Sequence, residues 1–291
     1  MKIQIVTLSY NVEGKGRGGA SGPAALLRAG LVRRLEEQGH IVPDPLDVGL
    51  APDEERQYGG WNRVALAGGR LADLVQRARA DGSFILGLLA DCNGLLGVLG
   101  GLQGGAAART GLVYVDAHGD YNTPDTSLSG MLGGMPVAVA AGKCLPRLRV
   151  RNKMEMPLER EDIFLMGLRD LDALERDALS EDGIHTLSEQ DLVRNGATLR
   201  EAMGVLSAGV ETIYVHVDLD ILDPGVAPAA GLPSPGGLTG EQLGLALKTV
   251  LGYPKVAALS VVSYRADRDQ DGGTLREVVQ AILLATSGPA L

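Results

Sequence analysis

Leu112-Val113-Tyr114-Val115-Asp116-Ala117-His118-Gly119-Asp120 is an apolar run that ends in two acids and a histidine. The run predicts a strand over Leu112–Asp116. If the chain stays extended beyond it, Asp116, His118 and Asp120 fall at i, i+2 and i+4 and share one face. The same design returns in Thr212–Asp218, which continues as Leu219-Asp220-Ile221-Leu222-Asp223-Pro224 and sets Asp218 and Asp220 on one face. Lys2–Leu8, Phe84–Leu89, Ile163–Leu168 and Ala257–Ser263 are further short aliphatic runs that read as strands. Helical patterns lie near Trp61–Ala80, Leu171–Leu179, Ser188–Leu206, Gly240–Leu251 and Thr274–Leu284. One more opens at Ser21-Gly22-Pro23, where proline fits the first turn, and runs on Leu26, Leu27, Leu31 and Leu35 to a stop at Gly39. Apolar strands alternating with helices imply an α/β fold whose parallel sheet is covered on both faces. No linker or shift in composition divides the chain, so residues 1–291 read as a single domain.

In such a sheet, ligands bind beyond the carboxyl ends of the strands. That rule selects the residues after Leu89, Val115, Leu168, Val217 and Val262. Two acids and an imidazole gathered at a strand end repel and desolvate badly without a cation, and a divalent metal ion relieves both costs. Taken singly, either cluster also fits the turn and capping chemistry of aspartate. Two clusters at strand ends of one sheet favour a pair of metal ions, about 3.5–4 Å apart, able to turn bound water into hydroxide near neutral pH.

Composition sets outer limits. Apolar residues make up 45% of the 291, so a large core can be buried, while aromatics are only 3% against 41 glycines. A net charge of −9 argues against nucleic-acid or anionic-membrane partners, which require clustered positive charge. Neither a signal-peptide layout nor a membrane-length apolar stretch is visible, so the expected compartment is the cytoplasm, with Cys92 and Cys144 reduced.

Asp116-Ala117-His118-Gly119-Asp120-Tyr121-Asn122-Thr123-Pro124 resembles the first metal motif of arginases in their bacterial form. Val217-Asp218-Leu219-Asp220-Ile221-Leu222-Asp223-Pro224, with the later Gly231-Leu232-Pro233 and Gly236-Gly237-Leu238-Thr239, resembles the second. The opening strand, Gly16–Gly22 and the Pro23 helix are similar to the family's N-terminus, and Gly167-Leu168-Arg169-Asp170-Leu171-Asp172 to another of its segments. The likeness to the arginase/agmatinase (ureohydrolase) family thus spans nearly the whole chain. It implies a three-layer α/β/α fold with a mostly parallel eight-stranded sheet, a pair of Mn2+ ions, and a homo-oligomer, trimer or hexamer. The implied substrate is a small arginine-like guanidino or amidine compound. Its linear C–N bond would be hydrolysed by a hydroxide bridging the two ions, releasing urea or a urea analogue.

Matched residue by residue, the resemblance gives Asp116, His118, Asp120, Asp218 and Asp220 as metal ligands, with Asp120 also the catalytic group. The family's remaining ligand is a histidine, and Leu89-Ala90-Asp91-Cys92-Asn93-Gly94 places Cys92 there. A thiolate is a softer ligand and tilts the preference towards zinc or iron. The less favoured alternative is that Cys92 is a small buried side chain packing at a strand end. Asn122 and Ser129 stand where the family holds the substrate's carboxylate, and Asp172 where it holds the amino group. Met131 replaces a further asparagine and Gly133 a proton-shuttling histidine. Ser263, a substrate-pocket position, replaces the glutamate that pairs with the guanidinium. Without that carboxylate, discrimination for arginine should weaken by a few kcal/mol. Asp223, Glu241 or another acid is a candidate to compensate, and an N-hydroxyguanidine or other modified guanidine competes with arginine as substrate.

His40, His185 and His216 are expected to be structural or exposed, with His216 at most a partner behind the site. Gly14–Gly22 lacks a phosphate-binding fingerprint and reads as a flexible loop at the site's rim. Arg265–Asp269 reads as a solvated loop, with Arg265 and Asp267 near the pocket. The alternative to an enzyme is an arginase-like protein without catalysis, a metal-stabilised binding or scaffold protein; Cys92, Gly133 and Ser263 motivate it. A third reading is a two-metal hydrolase of esters or amides.

Overall fold

Side chains alternate along each strand, so an aliphatic run can feed two cores at once. In the computed structural model, which describes residues 1–104, 108–193 and 196–288, Ile3 and Ile5 of β1 (Ile3–Leu8) enter one core, and Val6 and Leu8 the other. The sheet is completed by β2 (Leu46–Asp47), β3 (Phe84–Leu89), β4 (Thr110–Val115), β5 (Ile163–Met166), β6 (His185–Leu187), β7 (Thr212–Asp218) and β8 (Val256–Val262). Its order is β2-β1-β3-β8-β7-β4-β5-β6, and all these pairings are parallel. Expected as mostly parallel, the sheet is wholly so.

Helices α1 (Gly22–Arg28) and α2 (Leu31–Glu37) cover one face with Leu26, Leu31 and Leu35. The opposite face is covered by α3 (Gly60–Ala80) and α4 (Gly94–Gln103), with Leu179 of α5 (Ala173–Glu181) in the same core. The first face is finished by α6 (Gly196–Gly209), α7 (Gly240–Leu251) and α8 (Gly273–Thr286), which contribute Met203, Leu247 and Ile282. Helix, sheet and helix make three layers. No helix among the described residues is long and apolar enough to cross a membrane.

Three readings change. The single helix expected from Ser21 to Gly39 is two, because Gly30 adopts a φ of 78° and breaks the ladder between α1 and α2. The Ser188–Leu206 pattern contains a short helix, Glu189–Val193, before α6; residues 194–195 lie outside the described residues. Gly14–Gly22 is no featureless loop. Gly14–Lys15 pairs antiparallel with Tyr10–Asn11, and Gly18–Ser21 forms a tight helical turn. Gly19 is needed there, since a Cβ on it would lie 2.4 Å from the Ala90 carbonyl oxygen at the end of β3.

Helix α4 was not anticipated, because its glycines hide a helical pattern behind low propensity. Those glycines let two backbones touch. A Cβ on Gly97 would stand 2.6 Å from the Gly68 carbonyl oxygen of α3. Gly97→Ala should therefore destabilise the fold by about 1–3 kcal/mol through overpacking, despite alanine's better helix propensity. Denaturant unfolding measures this, and a more stable variant would contradict the close approach.

Candidate metal centre

The carboxyl ends of β3, β8, β7 and β4 are neighbours in the sheet, and the segments following them line a cavity of about 540 Å³. Cys92 follows β3, Asp116, His118 and Asp120 follow β4, Asp220 follows β7 and Ser263 follows β8; all six line it. Asp218, the last residue of β7, is buried beside them.

The acids are held by an interlocking set of hydrogen bonds. Asp116 Oδ1 accepts from the His118 backbone N–H at 2.7 Å. Asp218 Oδ1 accepts from the Asp220 N–H at 3.1 Å, and Asp220 Oδ1 from the Ala117 N–H at 3.1 Å. His118 Nδ1 lies 3.0 Å from Asp220 Oδ2 and 3.4 Å from Asp116 Oδ1. Asp218 Oδ2 accepts from Cys92 Sγ at 3.0 Å and from the Ser263 hydroxyl at 2.5 Å. Asp120 and Ser263 both hold positive φ angles, 47° and 66°, uncommon for side-chain-bearing residues.

These distances define two donor groups. Cys92, Asp116 and Asp218 offer ligand atoms within 4.8 Å of one another, and so do Asp116, His118 and Asp220. Asp116 belongs to both. Asp120, expected among the ligands, falls outside both groups; its Oδ2 accepts from the Tyr114 hydroxyl.

Electrostatically the cluster is costly as it stands. Burial, then the neighbouring Asp220, pushes the Asp116 carboxyl well above the ordinary carboxylate range. The same two causes raise Asp218 to about 7. Burial and Asp218 hold the Cys92 thiol far above its usual value. Burial opposes protonation of His118, but Asp116 and Asp220 outweigh it and push the imidazole up to about 12. Four acids, Asp116, Asp120, Asp218 and Asp220, each at most 7% exposed, crowd around one imidazole, and ionising them together costs free energy unless cations compensate. Oxygen, nitrogen and sulfur donors in two overlapping sets are what divalent cations take, so the donor set fits a metal pair.

Asn122, Ser129 and Asp172 also line the cavity. Asn122 donates from Nδ2 to Asp172 Oδ2 at 3.2 Å and accepts from the Thr126 hydroxyl at 3.0 Å. The exposed Ser129 hydroxyl accepts from the Met131 N–H at 3.2 Å. Neither compensating acid is in place. Asp223 is absent from the cavity wall and accepts from the Gly225 N–H within its own turn at 2.6 Å; Glu241 is exposed in the first turn of α7. Besides Asp172 and the acids of the centre, Glu13, Asp91, Asp170 and Glu175 line the wall, Asp170 and Glu175 being readable from their spacing to Asp172 after β5. Arg265 lines the wall as expected, held by Asp267 through two bonds of 3.0 and 2.9 Å.

Tyr114 was missed because a tyrosine inside an aliphatic strand reads as core. It is fully buried, its ring stacks on His216 at 5.0 Å, and its hydroxyl reaches Asp120. His216 is structural, fully buried, with Nδ1 2.8 Å from the Tyr214 hydroxyl. His40 meets the Met1 amine and the Thr286 carbonyl, and the exposed His185 stacks on Phe164.

A sequence model described as the arginase family matches residues 1–286. The chain is similar to an arginase of Bacillus caldovelox, 32% identical over 254 residues that cover 84% of this chain and 85% of that one. It is similar also to an arginase of Brevibacillus brevis, 29% identical with 99% and 98% of the two chains covered. Among solved structures, the arginase of Bacillus subtilis superposes with a TM-score of 0.87 at 26% identity, over the full length of both chains.

Proposed function

The chain belongs to the arginase family, and from that premise we propose that it is a two-metal hydrolase of the guanidino or amidine C–N bond of an arginine-like substrate, releasing urea or a urea analogue. The observation that carries the reading is the sharing of the buried Asp116 carboxylate between two donor groups. Cys92, Asp116 and Asp218 would hold one ion, and Asp116, His118 and Asp220 the other. Manganese is the first candidate, with zinc or iron favoured to the extent that the Cys92 thiolate binds directly. Bound there, the cations supply a water acidified towards neutral pH and a positive field for the charge that develops during attack.

The rest is the work of side chains. Asp120 faces the cavity at the strand end and would take a proton from the attacking water. Water oxygen bonds to the guanidino carbon, the C–N bond to the substrate's chain breaks, and both water protons finish on the leaving amine, the first carried by Asp120. Tyr114 fixes the Asp120 carboxylate through its hydroxyl. Asn122, Ser129, Asp172 and Ser263 would meet the substrate around this centre. The homo-oligomer (trimer or hexamer) and the cytoplasmic setting belong to the same reading.

Urea release after loading with manganese or zinc tests it. Tyr114→Phe should keep the metal content and lower kcat by about tenfold to a hundredfold, the loss of one hydrogen bond to a charged group; unchanged kcat would remove Tyr114 from the machinery. Ser263, where the family resemblance places a carboxylate, favours one second reading, a metal-holding protein without turnover. Bound metal with no urea from any guanidine would select it.

A further inference from the structure

The mouth of the cavity is apolar in a way that the centre does not require. Leu128, Met131, Leu232 and Val12 all line it and remain 84%, 46%, 54% and 39% exposed. They come from three separate segments: the loop after β4, the loop after β7, and the turn between Tyr10–Asn11 and Gly14–Lys15. Large apolar side chains left in water around one opening mark a surface that is covered when a ligand sits there.

Gly133 adds room beside them. Its φ is not in the left-handed region, so its backbone does not need a glycine. A Cβ built on it would meet only Met131 Cγ and Sδ, both at 3.9 Å. The missing side chain therefore opens volume next to the Met131 thioether.

Charge on the wall speaks against a carboxylate on the ligand. Glu13, Asp91, Asp170, Asp172 and Glu175 line it in addition to the metal-centre acids. Among the described residues, Arg265 is the one lysine or arginine there, and its guanidinium is committed to Asp267. Asn122 is engaged at both ends of its amide, by Asp172 and Thr126. Away from the metal centre and its His118, no uncommitted lysine or arginine on the described wall meets an incoming carboxylate, and the five acids there repel one.

Resting on the hydrolase reading above, we infer that the substrate is a guanidine or amidine whose far end is an apolar alkyl or aryl arm without a carboxylate, seated on Leu128, Met131, Leu232 and the space at Gly133. The cationic head suits the acid-lined interior, and the arm covers the apolar mouth.

The test is calorimetric titration of the metal-loaded protein with n-alkylguanidines from ethyl to hexyl and with L-arginine, with urea release assayed in parallel. Affinity should tighten roughly two- to fourfold per methylene from propyl onward, and hexylguanidine should bind at least about tenfold tighter than L-arginine. In Leu128→Ser/Leu232→Ser, which alters exposed positions, the chain-length dependence should flatten. A flat series in the wild type, or tighter binding of L-arginine, overturns the inference. Urea formed from L-arginine with the higher kcat/KM overturns it too, while the hydrolase reading stands. Chain-length-dependent binding with no urea from any guanidine keeps the apolar arm and removes the hydrolase reading. A flat series in an oligomer that the double variant dissociates assigns the mouth to a second copy of the chain, and likewise overturns the inference.

Discussion

Asp116→Ala should release metal from both positions and lower urea formation by at least about a thousandfold. Asp116 is the one carboxylate common to the two donor groups, so its loss leaves Cys92 with Asp218, and His118 with Asp220. Two protein donors each are too few to hold a divalent ion firmly against water. The fold should survive. Burial and Asp220 already push the Asp116 carboxyl far upwards, so in the metal-free protein this group costs stability and its removal relieves like-charge crowding. Metal content, urea release and Tm of the metal-free variant measure the three parts. A variant that keeps two metals would show that the donor groups do not depend on Asp116.

Asp120→Asn should behave differently. Asp120 stands outside both donor groups and accepts from Tyr114, so the asparagine variant should keep its metals while kcat falls by roughly 10²–10⁴-fold, the usual worth of a positioned proton acceptor. KM should change little, because the group is proposed to act on the water and not on the substrate. Titrating metal against both proteins while measuring kcat and KM separates the outcomes. Loss of one metal in Asp120→Asn would make Asp120 a ligand, as the family resemblance has it.

The contrast between these two aspartates marks what could be read from the chain alone. Strands β3, β4, β5, β7 and β8 were legible because aliphatic runs of four to seven residues carry a pattern, and the rule of carboxyl ends led from them to Asp116 and Asp218, while Cys92 came from the family resemblance. Edge strands β2 and β6, of two and three residues, carry no period to detect. Helix α4 was hidden because its glycines serve contact with α3, a tertiary requirement that opposes local propensity. Within the site, spacing placed Asp116 and Asp120 on one face, but whether a carboxylate joins a donor group or accepts from a tyrosine depends on the turn at Asp120, with its φ of 47°. Ser263 shows the same limit. Its identity signals a lost carboxylate, whereas its hydroxyl, 2.5 Å from Asp218 Oδ2, steadies an acid of the centre. The apolar mouth was invisible, since Val12, Leu128, Met131 and Leu232 are scattered over more than two hundred residues.

Metal content per chain is the most direct test of the central claim, measured by elemental analysis on protein reloaded with manganese and with zinc and freed of loosely held ions. The account predicts about two ions per chain in the wild type and about one in Cys92→Ala, since Cys92 is the thiol of one donor group and takes no part in the other. No ion, or a single ion unaffected by Cys92→Ala, would contradict a two-metal centre and leave Cys92 as a packing residue at the end of β3.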